Sequence, residues 1–339
     1  MTDRYSRQTL FTPIGEEGQE KIREKHVLII GAGALGTGNA EALVRAGIGK
    51  LTIVDRDYVE WSNLQRQQLY GERDAEDRLP KAIAAKSRLS HINSDVEIQA
   101  HVLDATPEEL ENLITGADLI LDATDNFDTR MMINDISQKY SVPWIYGACV
   151  GSYGISFTIL PGTTPCLNCL LDSVPIGGLT CDTAGIISPA VQMVVAYQAA
   201  EALKILVEDW EALRGKLVSF DVWTNQQTAI NVAKAKKNEC LSCGRESTYP
   251  YLAYENQTKS AVLCGRDSVQ IRPPGRQQRD LTAMKEMLED KGGRVEQNPY
   301  LLSFTVEGRR MVLFKDGRAL IHGTKDISEA KTLYHRYFG

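Results

Sequence analysis

Residues 26–162 alternate between short, continuously apolar runs and longer amphipathic segments. The apolar runs indicate strands that are covered on both faces, and the amphipathic segments indicate helices. The predicted strands are HVLII (26–30), KLTIVD (50–55), VEIQAHV (96–102), DLILDAT (118–124), PWIYGACV (143–150) and GISFTILPG (154–162). The predicted helices include TGNAEALVRAG (37–47), KAIAAKSRLSHI (81–92), PEELENLI (107–114) and FDTRMMINDISQKY (127–140). This alternation predicts an α/β fold with a doubly wound, mostly parallel sheet.

A change of composition near Cys243 predicts a second, smaller domain. Beyond it the strand-like runs LLSFTVEG (301–308) and RRMVLFKDG (309–317) accompany the helical segments LTAMKEMLEDKG (281–292) and DISEAKTLYHRYFG (326–339). We therefore expect a main domain over 1–245 and a small α+β module over 246–339.

Charge and hydropathy narrow the function classes. The 339 residues carry a formal net charge of −6 and no basic stripe, so we expect no nucleic-acid partner. The N-terminus MTDRYSRQTLF has no cationic leader followed by an apolar run. The apolar stretch 185–207 contains Gln192, Gln198, Glu201 and Lys204, which favours a core helix over a membrane span. We therefore expect a cytoplasmic protein that does not bind membranes.

A glycine-rich turn follows the first predicted strand. Gly31, Gly33 and Gly36 form the pattern G-x-G-x-x-G between a strand and a helix, and Asp55 ends the next strand. Such a turn lets the backbone approach a phosphate at a helix N-terminus, and a carboxylate at the second strand end accepts bonds from ribose hydroxyls. The pattern predicts a Rossmann-like site for an adenine nucleotide, although tight strand–helix packing alone also explains the glycines.

Charged and polar side chains gather after three predicted strands, at the edge where such sheets bind ligands. The set comprises Asn63, Arg66, Gln67, Lys81, Asp122, Asp125 and Asn126. A dinucleotide needs no such cations, whereas a triphosphate under attack needs Mg²⁺ held by carboxylates together with Arg or Lys. Each residue also has a simpler explanation: Arg66 as a solvated arginine, Lys81 as a first-turn helix residue, and Asp125 with Asn126 as a helix cap.

Two C-x-x-C pairs, Cys166 with Cys169 and Cys240 with Cys243, stand out among the seven cysteines. Two such pairs separated by a long insert form a tetrahedral site without an open position, so we expect a structural zinc ion. Redox dithiols and an iron–sulfur cluster are the alternatives.

Cys181 lies in GGLTCDTAGIISP (177–189), just before the long core helix. A thiol near a helix N-terminus can have a lowered pKa and act as a nucleophile, but a small residue without chemistry explains this position equally well. Cys149 and Cys264 flank strands, so we interpret both as structural.

Residues 1 to about 245 resemble the ThiF/MoeB/HesA family, bacterial relatives of the ubiquitin-activating enzymes. The resemblance rests on RYSRQ (4–8), GAGALG (31–36), DRDYVEWSNLQRQ (55–67), PKA (80–82), DATDNFDTR (122–130), LTCDTAG (179–185) and the paired C-x-x-C. Family members use ATP to adenylate the C-terminal Gly-Gly carboxylate of a ubiquitin-like sulfur carrier protein. The resemblance thus implies an ATP- and Mg²⁺-dependent adenylyltransferase for thiamin-thiazole or molybdopterin biosynthesis, and these motifs do not separate the two pathways.

The resemblance also implies roles for individual residues. Asp55 holds the ribose, Asp125 binds Mg²⁺, and Arg7 is an arginine finger contributed across a homodimer interface. Cys181 aligns with a position that some members link covalently to the carrier. The implied ATP contacts are Gly33, Ala34, Asp55, Ser62, Asn63, Leu64, Gln65, Arg66, Lys81, Asp125 and Asn126.

The residues explain how this chemistry works. A carboxylate is already ionised near neutral pH, so its reaction with ATP needs no general base. The difficulty is bringing one anion to another, and Arg7, Arg66, Lys81 and Mg²⁺ reduce that repulsion. A NAD-dependent oxidoreductase and a zinc-stabilised nucleotide-binding scaffold are the competing hypotheses. The C-terminal module lacks a recognisable sulfurtransferase loop, and carrier docking, dimer contact and stability are its candidate roles.

Overall fold

The computed structural model describes residues 3–171, 184–253, 260–263, 267–272 and 278–338. They form two compact units: the main unit contains the described residues up to 171 and from 185 to 253, and the C-terminal unit contains those from 260 onwards together with Ala184. The domain bounds expected from the sequence, 1–245 and 246–339, remain a prediction.

Among the described residues, eight strands form the sheet of the main unit in the order β3-β2-β1-β4-β5-β6-β7-β8. In chain order they are β1 (His26–Ile30), β2 (Lys50–Asp55), β3 (Glu97–Val102), β4 (Leu119–Asp122), β5 (Trp144–Val150), β6 (Tyr153–Ile159), β7 (Leu217–Asp221) and β8 (Gln226–Ile230). Strands β1 to β5 pair in parallel. Strands β6, β7 and β8 extend the sheet beyond β5 with antiparallel pairing. The predicted mostly parallel α/β sheet is confirmed.

The helices of the main unit lie between these strands. They are α1 (Ser6–Thr9), α2 (Gly15–Glu24), α3 (Ala34–Ala46), α4 (Glu72–Glu76), α5 (Lys81–Ile92), α6 (Pro107–Leu113), α7 (Phe127–Tyr140), α8 (Leu167–Leu171) and α9 (Ser188–Leu206). Short 3-10 turns occur at Asp3–Tyr5, Trp61–Asn63, Ala233–Ala235 and Pro250–Leu252. Local caps set several ends: Thr106 caps α6, and Gly47 ends α3 in the left-handed region at φ +85°.

Alternate residues of the parallel strands supply two apolar cores, one on each face of the sheet. On one face Val27 and Ile29 of β1 join the core that includes residues of α3 and α9. On the other, Leu28 and Ile30 join a core that includes residues of α6, α7 and the cysteine segments. Because side chains alternate along a strand, coverage of both faces explains why central strands such as β1 and β4 are continuously apolar.

The C-terminal unit is a small α+β structure, as predicted. Its described strands form one antiparallel sheet in the order β11-β12-β13-β14-β10-β9. These strands are β9 (Ser260–Leu263), β10 (Ser268–Ile271), β11 (Arg294–Gln297), β12 (Leu301–Val306), β13 (Arg309–Phe314) and β14 (Ala319–His322). Two helices, α10 (Leu281–Glu289) and α11 (Ile327–Tyr337), begin at the aspartate caps Asp280 and Asp326 and contribute to the same apolar core.

In the part of the chain that the structure describes, no helix has both the length and the apolar character required to cross a bilayer.

Candidate functional site

The candidate site lies at the carboxyl ends of β1, β2 and β4. Strand β1 sits between β2 and β4, and Ile30 is in register with Val54 on one side and Asp122 on the other. The chain leaves β1 towards β2 and β3 and then returns to β4, so a topological switch point occurs here. We call this edge of the sheet the rim.

The glycine turn combines packing with an open approach to α3. Gly31 has φ +100°, and a Cβ there would overlap the carbonyl oxygen of Ala123. A Cβ on Gly36 would overlap the carbonyl oxygen of Gly31. Gly33 differs, because the nearest atom to a Cβ would be Nε2 of Gln67 at 3.9 Å. Packing thus accounts for Gly31 and Gly36, while Gly33 leaves the N-terminus of α3 accessible.

Both backbone polar groups of Ala32 are held by hydrogen bonds. Its N–H donates to Oδ2 of Asp55 at 2.6 Å, and its carbonyl oxygen accepts from the hydroxyl of Tyr70 at 2.6 Å. Oδ1 of Asp55 accepts from the N–H of Asp57 at 2.7 Å. Burial raises the pKa of Asp55, and the positive charge of Lys81 opposes that rise. Asp55 follows from the sequence pattern, whereas Tyr70 carries no sequence signal beyond its position after the charged segment.

Lys81 is the first residue of α5, and it is only 4% exposed. Its Nζ lies 3.4 Å from Oδ2 of Asp57. A cation in the first turn of a helix opposes the helix dipole, so the nearby carboxylates of Asp57 and Asp55 are what stabilise it there. Lys81 is predicted from the sequence and Asp57 is not, although a buried lysine requires a carboxylate partner.

The segment after β2 forms a 3-10 turn that presents Arg66. Oδ1 of Asn63 accepts from the N–H of Glu60 at 3.0 Å, and Nη1 of Arg66 donates to the carbonyl of Ser62 at 2.8 Å. Arg66 is half-buried, and a guanidinium has further N–H donors for a ligand besides the one bonded to Ser62. Gln67 is buried beside Gly33, and its Oε1 has no hydrogen-bond partner among the described residues. Leu64 and Gln65 lie between Asn63 and Arg66 in the same segment.

Two aspartates at and just after the end of β4 have different surroundings. Asp122 is fully buried and accepts from Nε of Arg130 at 3.0 Å and from Oγ1 of Thr124 at 2.7 Å. Asp125 is 78% exposed, and its nearest recorded cation is Nη2 of Arg56 at 3.9 Å. The protein's own groups therefore use the oxygens of Asp122, whereas Asp125 remains accessible to a metal ion.

Asn126 caps α7. Its Oδ1 accepts from the N–H of Asp128 at 2.8 Å and of Thr129 at 3.3 Å. The capping explanation of Asn126 given by the sequence therefore holds in the structure, and it places Asp125 immediately outside the helix.

Two further arginines complete the rim. Burial acts to lower the pKa of Arg56 and of Arg130, but nearby carboxylates outweigh it and raise both pKa values. Asp104 and Asp122, respectively, are the largest such contributors. Arg56 lies in the motif DRDYVEW, and Arg130 lies in DATDNFDTR. Each neutralises a buried carboxylate, and this pairing is what distinguishes them from surface arginines.

Arg7 lies at the opposite end of α3. It is exposed on α1, and Nε2 of the adjacent Gln8 donates to the carbonyl of Ala46, the last residue of α3, at 2.9 Å. Because α3 begins beside Gly33 at the rim and has 13 residues, Arg7 lies roughly 20 Å from the rim at 1.5 Å per residue. The structure does not bring Arg7 together with the other site residues of its own chain.

The four paired cysteines converge, as the spacing predicts. Their sulfur atoms all lie within 4.8 Å of one another, with 3.8 Å between Cys166 and Cys169 and 3.5 Å between Cys169 and Cys243. A tetrahedral zinc ion with Zn–S bonds of about 2.3 Å requires S–S separations of roughly 3.8 Å. The donor set and its spacing fit one zinc ion. Cys149 lies within β5, and Cys181 and Cys264 lie outside the described residues.

Comparison with known proteins identifies the family. Residues 5–242 match the model of the ThiF family.

The chain belongs to the ThiF family.

Curated relatives extend the match over the whole chain. The sulfur carrier protein ThiS adenylyltransferase of Bacillus subtilis is 56% identical over 340 residues, covering 100% of both chains. The protein of the same name from Escherichia coli is 37% identical and covers 73% of this chain and 97% of its own. The molybdopterin-synthase adenylyltransferase of Salmonella typhimurium is 34% identical and covers 71% of this chain and 96% of its own.

Solved structures agree with the fold of this ThiF-family chain. A crystal structure of Escherichia coli MccB with ATP has a TM-score of 0.61 at 23% sequence identity, covering 72% of this chain and 75% of that one. At this identity the likeness concerns the fold alone. The chemistry of the site therefore follows from the rim residues themselves.

Proposed function

We propose that this protein uses ATP to adenylate the C-terminal Gly-Gly carboxylate of a ubiquitin-like sulfur carrier protein, releasing pyrophosphate. The observation that carries the proposal is the composition of the rim: an accessible helix N-terminus at Gly33, the cations Arg66 and Lys81, and the exposed carboxylate of Asp125. The names of the curated relatives support the same reaction.

ATP is proposed to lie along the rim with its phosphates at the N-terminus of α3, where free N–H groups favour anions. Gly33 and Ala34 line the phosphates, and Asp55 accepts from the ribose hydroxyls. Asp55 already accepts two backbone N–H bonds, and a carboxylate has lone pairs left for a ribose. The proposed contacts are Gly33, Ala34, Asp55, Ser62, Asn63, Leu64, Gln65, Arg66, Lys81, Asp125 and Asn126.

The proposed reaction is a single displacement at phosphorus. An oxygen of the ionised carrier carboxylate forms a bond to the α-phosphorus of ATP, and the bond between that phosphorus and the bridging oxygen to the β-phosphate breaks. The electron pair leaves with pyrophosphate, and the carrier becomes an acyl-adenylate. Arg66 and Lys81 offset the repulsion between the two anions and hold the reacting groups in line.

Asp125 is the proposed protein ligand of Mg²⁺. Mg²⁺ usually keeps several waters and takes only one or two carboxylates besides phosphate oxygens. An exposed single carboxylate beside the rim fits that preference, and Asp122 does not, since Arg130 and Thr124 occupy its oxygens. When bound, the ion would neutralise charge on the phosphates.

A homodimer is proposed to complete the site. Arg7 lies at the far end of α3 in its own chain, so it can reach a triphosphate only in a second copy. Cys181 is proposed as a thiol that links to the carrier, and its position lies outside the described residues. The four-cysteine site is proposed to hold a structural zinc ion that contributes about 10–16 kcal/mol of apparent binding energy.

The carrier is proposed to be of the ThiS type, and the pathway that of the thiamin thiazole. The relative from Bacillus subtilis carries that name and matches the whole chain, including the C-terminal unit, whereas the molybdopterin-synthase adenylyltransferase matches 71% of it. The substrates and the reduced cysteines suit the cytoplasm, where we propose the protein acts.

The test is ATP–pyrophosphate exchange with purified carriers. We expect exchange with a ThiS-type carrier that ends in Gly-Gly, and none with the same carrier lacking its last glycine. A MoaD-type carrier that supports faster exchange would refute the assignment to the thiamin pathway, and a lack of exchange with either carrier would refute adenylation itself.

A further inference from the structure

The two cysteine pairs are joined by hydrogen bonds between the residues inside them. Asn168 lies between Cys166 and Cys169, and Ser242 lies between Cys240 and Cys243. Nδ2 of Asn168 donates to Oγ of Ser242 at 3.2 Å and lies 3.7 Å from Sγ of Cys240. Ser242 is fully buried. The side chains between the cysteines therefore link the two pairs independently of any metal ion.

Helix α7 closes this link into a ring. Oδ1 of Asn134 accepts from the N–H of Leu167 at 2.8 Å, and Nδ2 of Asn134 donates to Asp135 at 3.3 Å. Asp135 also lies beside the side chain of Ser242, and its Oδ2 accepts from the N–H of Tyr251 at 2.9 Å. Neither Asn134 nor Asp135 has any exposed surface. Asn134, Asp135, Asn168 and Ser242 are called the amide–carboxylate ring below.

The same helix is attached to the nucleotide rim at its other end. Asn126 caps its first turn, and Arg130 donates to Asp122 and to the carbonyl of Thr124. A helix of 14 residues spans roughly 21 Å. One rigid element therefore contacts the end of β4 through Arg130 and the cysteine pairs through Asn134 and Asp135.

We propose that the amide–carboxylate ring is the outer shell of the zinc site and that Asp135 is the positioning residue that holds α7 against it. Groups that orient metal ligands govern how readily the metal leaves, and their loss typically costs 10–100-fold in affinity. Asp135 is suited to this role because it lies beside Ser242 of the Cys240–Cys243 segment and accepts a hydrogen bond from Tyr251 in the chain that follows it. The proposal rests on the proposed zinc site and not on the proposed reaction.

The first test measures the rate at which zinc passes from the folded protein to a chromogenic chelator at 25 °C. We expect Asp135→Asn, in which one acceptor oxygen becomes a donor, to release zinc about 10–100-fold faster than the parent protein. Ser242→Ala, which removes one bond of the ring, is expected to show a smaller increase. The control is Asp95→Asn, the same chemical change at an exposed aspartate, and it should match the parent.

The outcomes separate an outer shell from an ordinary buried network. If Asp135→Asn lowers the melting temperature but releases zinc at the parental rate, the ring only supports the fold and the proposal is wrong. If Asp135→Asn does not fold, Ser242→Ala decides in the same way. A parent protein isolated without zinc would refute the zinc site and this proposal together, while leaving adenylation to be judged by exchange.

The second test measures hydrogen exchange at the backbone amides of the first turn of α7. We expect the amides of Asp128, Thr129 and Arg130 to exchange at least about threefold faster in zinc-loaded Asp135→Asn than in zinc-loaded Asp95→Asn, because the helix loses an anchor. Exchange that is unchanged in this turn would show that the ring does not position α7 at the rim.

Discussion

Single residues at the rim divide into those that hold the site together and those that remain available to a ligand. Hydrogen bonds within the chain already engage Asp122, Asp55 and Tyr70. Arg66 and Asp125 retain exposed surface and make few contacts with the rest of the chain. Their substitution should therefore affect chemistry far more than folding.

We expect Arg66→Ala and Asp125→Ala each to lower the rate of ATP–pyrophosphate exchange by about a hundredfold or more, the usual loss for a charge-stabilising group. The melting temperature should stay near that of the parent, since surface substitutions away from buried contacts change stability little. Arg73→Ala is the matched control, because that arginine is 91% exposed on α4. Near-normal exchange in either variant would remove that residue from the catalytic list.

Alanine substitution of two glycines of the same turn should have different effects, one on stability and the other on ATP binding. Gly36→Ala places a methyl group against the carbonyl of Gly31, so we expect a melting temperature at least about 4 °C lower. Gly33→Ala meets no atom closer than 3.9 Å, so stability should persist while the KM for ATP rises about tenfold through weaker phosphate contacts. Calorimetry and exchange kinetics on both variants check this. Equal losses of stability would show that Gly33 also serves only packing.

The individual residues also show how far sequence alone leads. Lys81, Asp55 and the four cysteines follow from spacing, because strand ends and C-x-x-C pairs restrict where such side chains can lie. Asp57, Arg56 and Arg130 do not, since the partner of a buried charge is chosen by tertiary packing. Arg7 illustrates the same limit, because only the length of α3 reveals its distance from its own rim.

Among whole elements, the strands that sequence predicts are those covered on both faces. Strands β1, β2, β4 and β6 are predicted because their residues are almost continuously apolar and buried. Strand β3 is an exception, since its apolar and polar residues alternate and most of them are only half-buried. Neither β7 nor β8 is predicted from the sequence. Every residue of β8 is exposed, so it has no hydrophobic period to detect, and its pairing with β7 is what makes it a strand.

The β7–β8 hairpin is expected to contact the carrier. Strand β7 ends at Asp221, in register with Tyr153 at the start of β6, so the hairpin turn lies at the same edge of the sheet as the rim. Trp223 in that turn is 78% exposed and Tyr153 is 41% exposed. Trp223→Ala should raise the KM for the carrier about tenfold or more, the usual loss at a buried aromatic contact, without changing the KM for ATP.

Trp210 provides the control for this prediction. It is 49% exposed. It lies beyond the C-terminal end of α9, close in sequence to Glu208, whose carboxylate pairs with Lys25 just before β1 at the edge of the sheet opposite the rim. Trp210→Ala should leave both KM values unchanged. Parallel effects of the two substitutions would argue against a docking role for the hairpin.

A pH dependence is expected at the other end of β1. Nδ1 of His26 lies 3.1 Å from the carbonyl of Gly116 and must donate to it, so Nε2 accepts from Thr52 at 2.9 Å in the neutral ring. Burial lowers the pKa of His26. A lowered folded pKa means that the unfolded chain binds the proton first, so stability is full above about pH 6.5 and falls as the pH drops below it.

Thermal unfolding at pH 8.0 and pH 5.5 measures this effect. The parent should lose several degrees more between the two values than His26→Gln, which has no ring to protonate, and His91→Gln at an exposed position should behave like the parent. An identical pH response in all three proteins would exclude His26 as the responsible group.

In the molecule as a whole, Arg7 lies about one helix length from the rim of its own chain. In the proposed homodimer, each rim would receive Arg7 from the partner. This arrangement can be tested by complementation. Arg7→Ala and Asp125→Ala each remove one residue of the proposed shared site, and in the dimer these two residues would come from different chains. Each variant alone should lose at least about a hundredfold in exchange.

When the two variants are co-expressed and the mixed dimer is isolated with different affinity tags, one of its two rims should be intact: it takes Asp125 from the Arg7→Ala chain and Arg7 from the Asp125→Ala chain. The mixed dimer should therefore recover about half of the parental exchange rate per dimer, as independent sites require. If Arg7 acted within its own chain, both rims of the mixed dimer would remain defective. Exchange no higher than that of the single variants would thus refute the shared site while leaving Arg66 and Asp125 to be judged by their own substitutions.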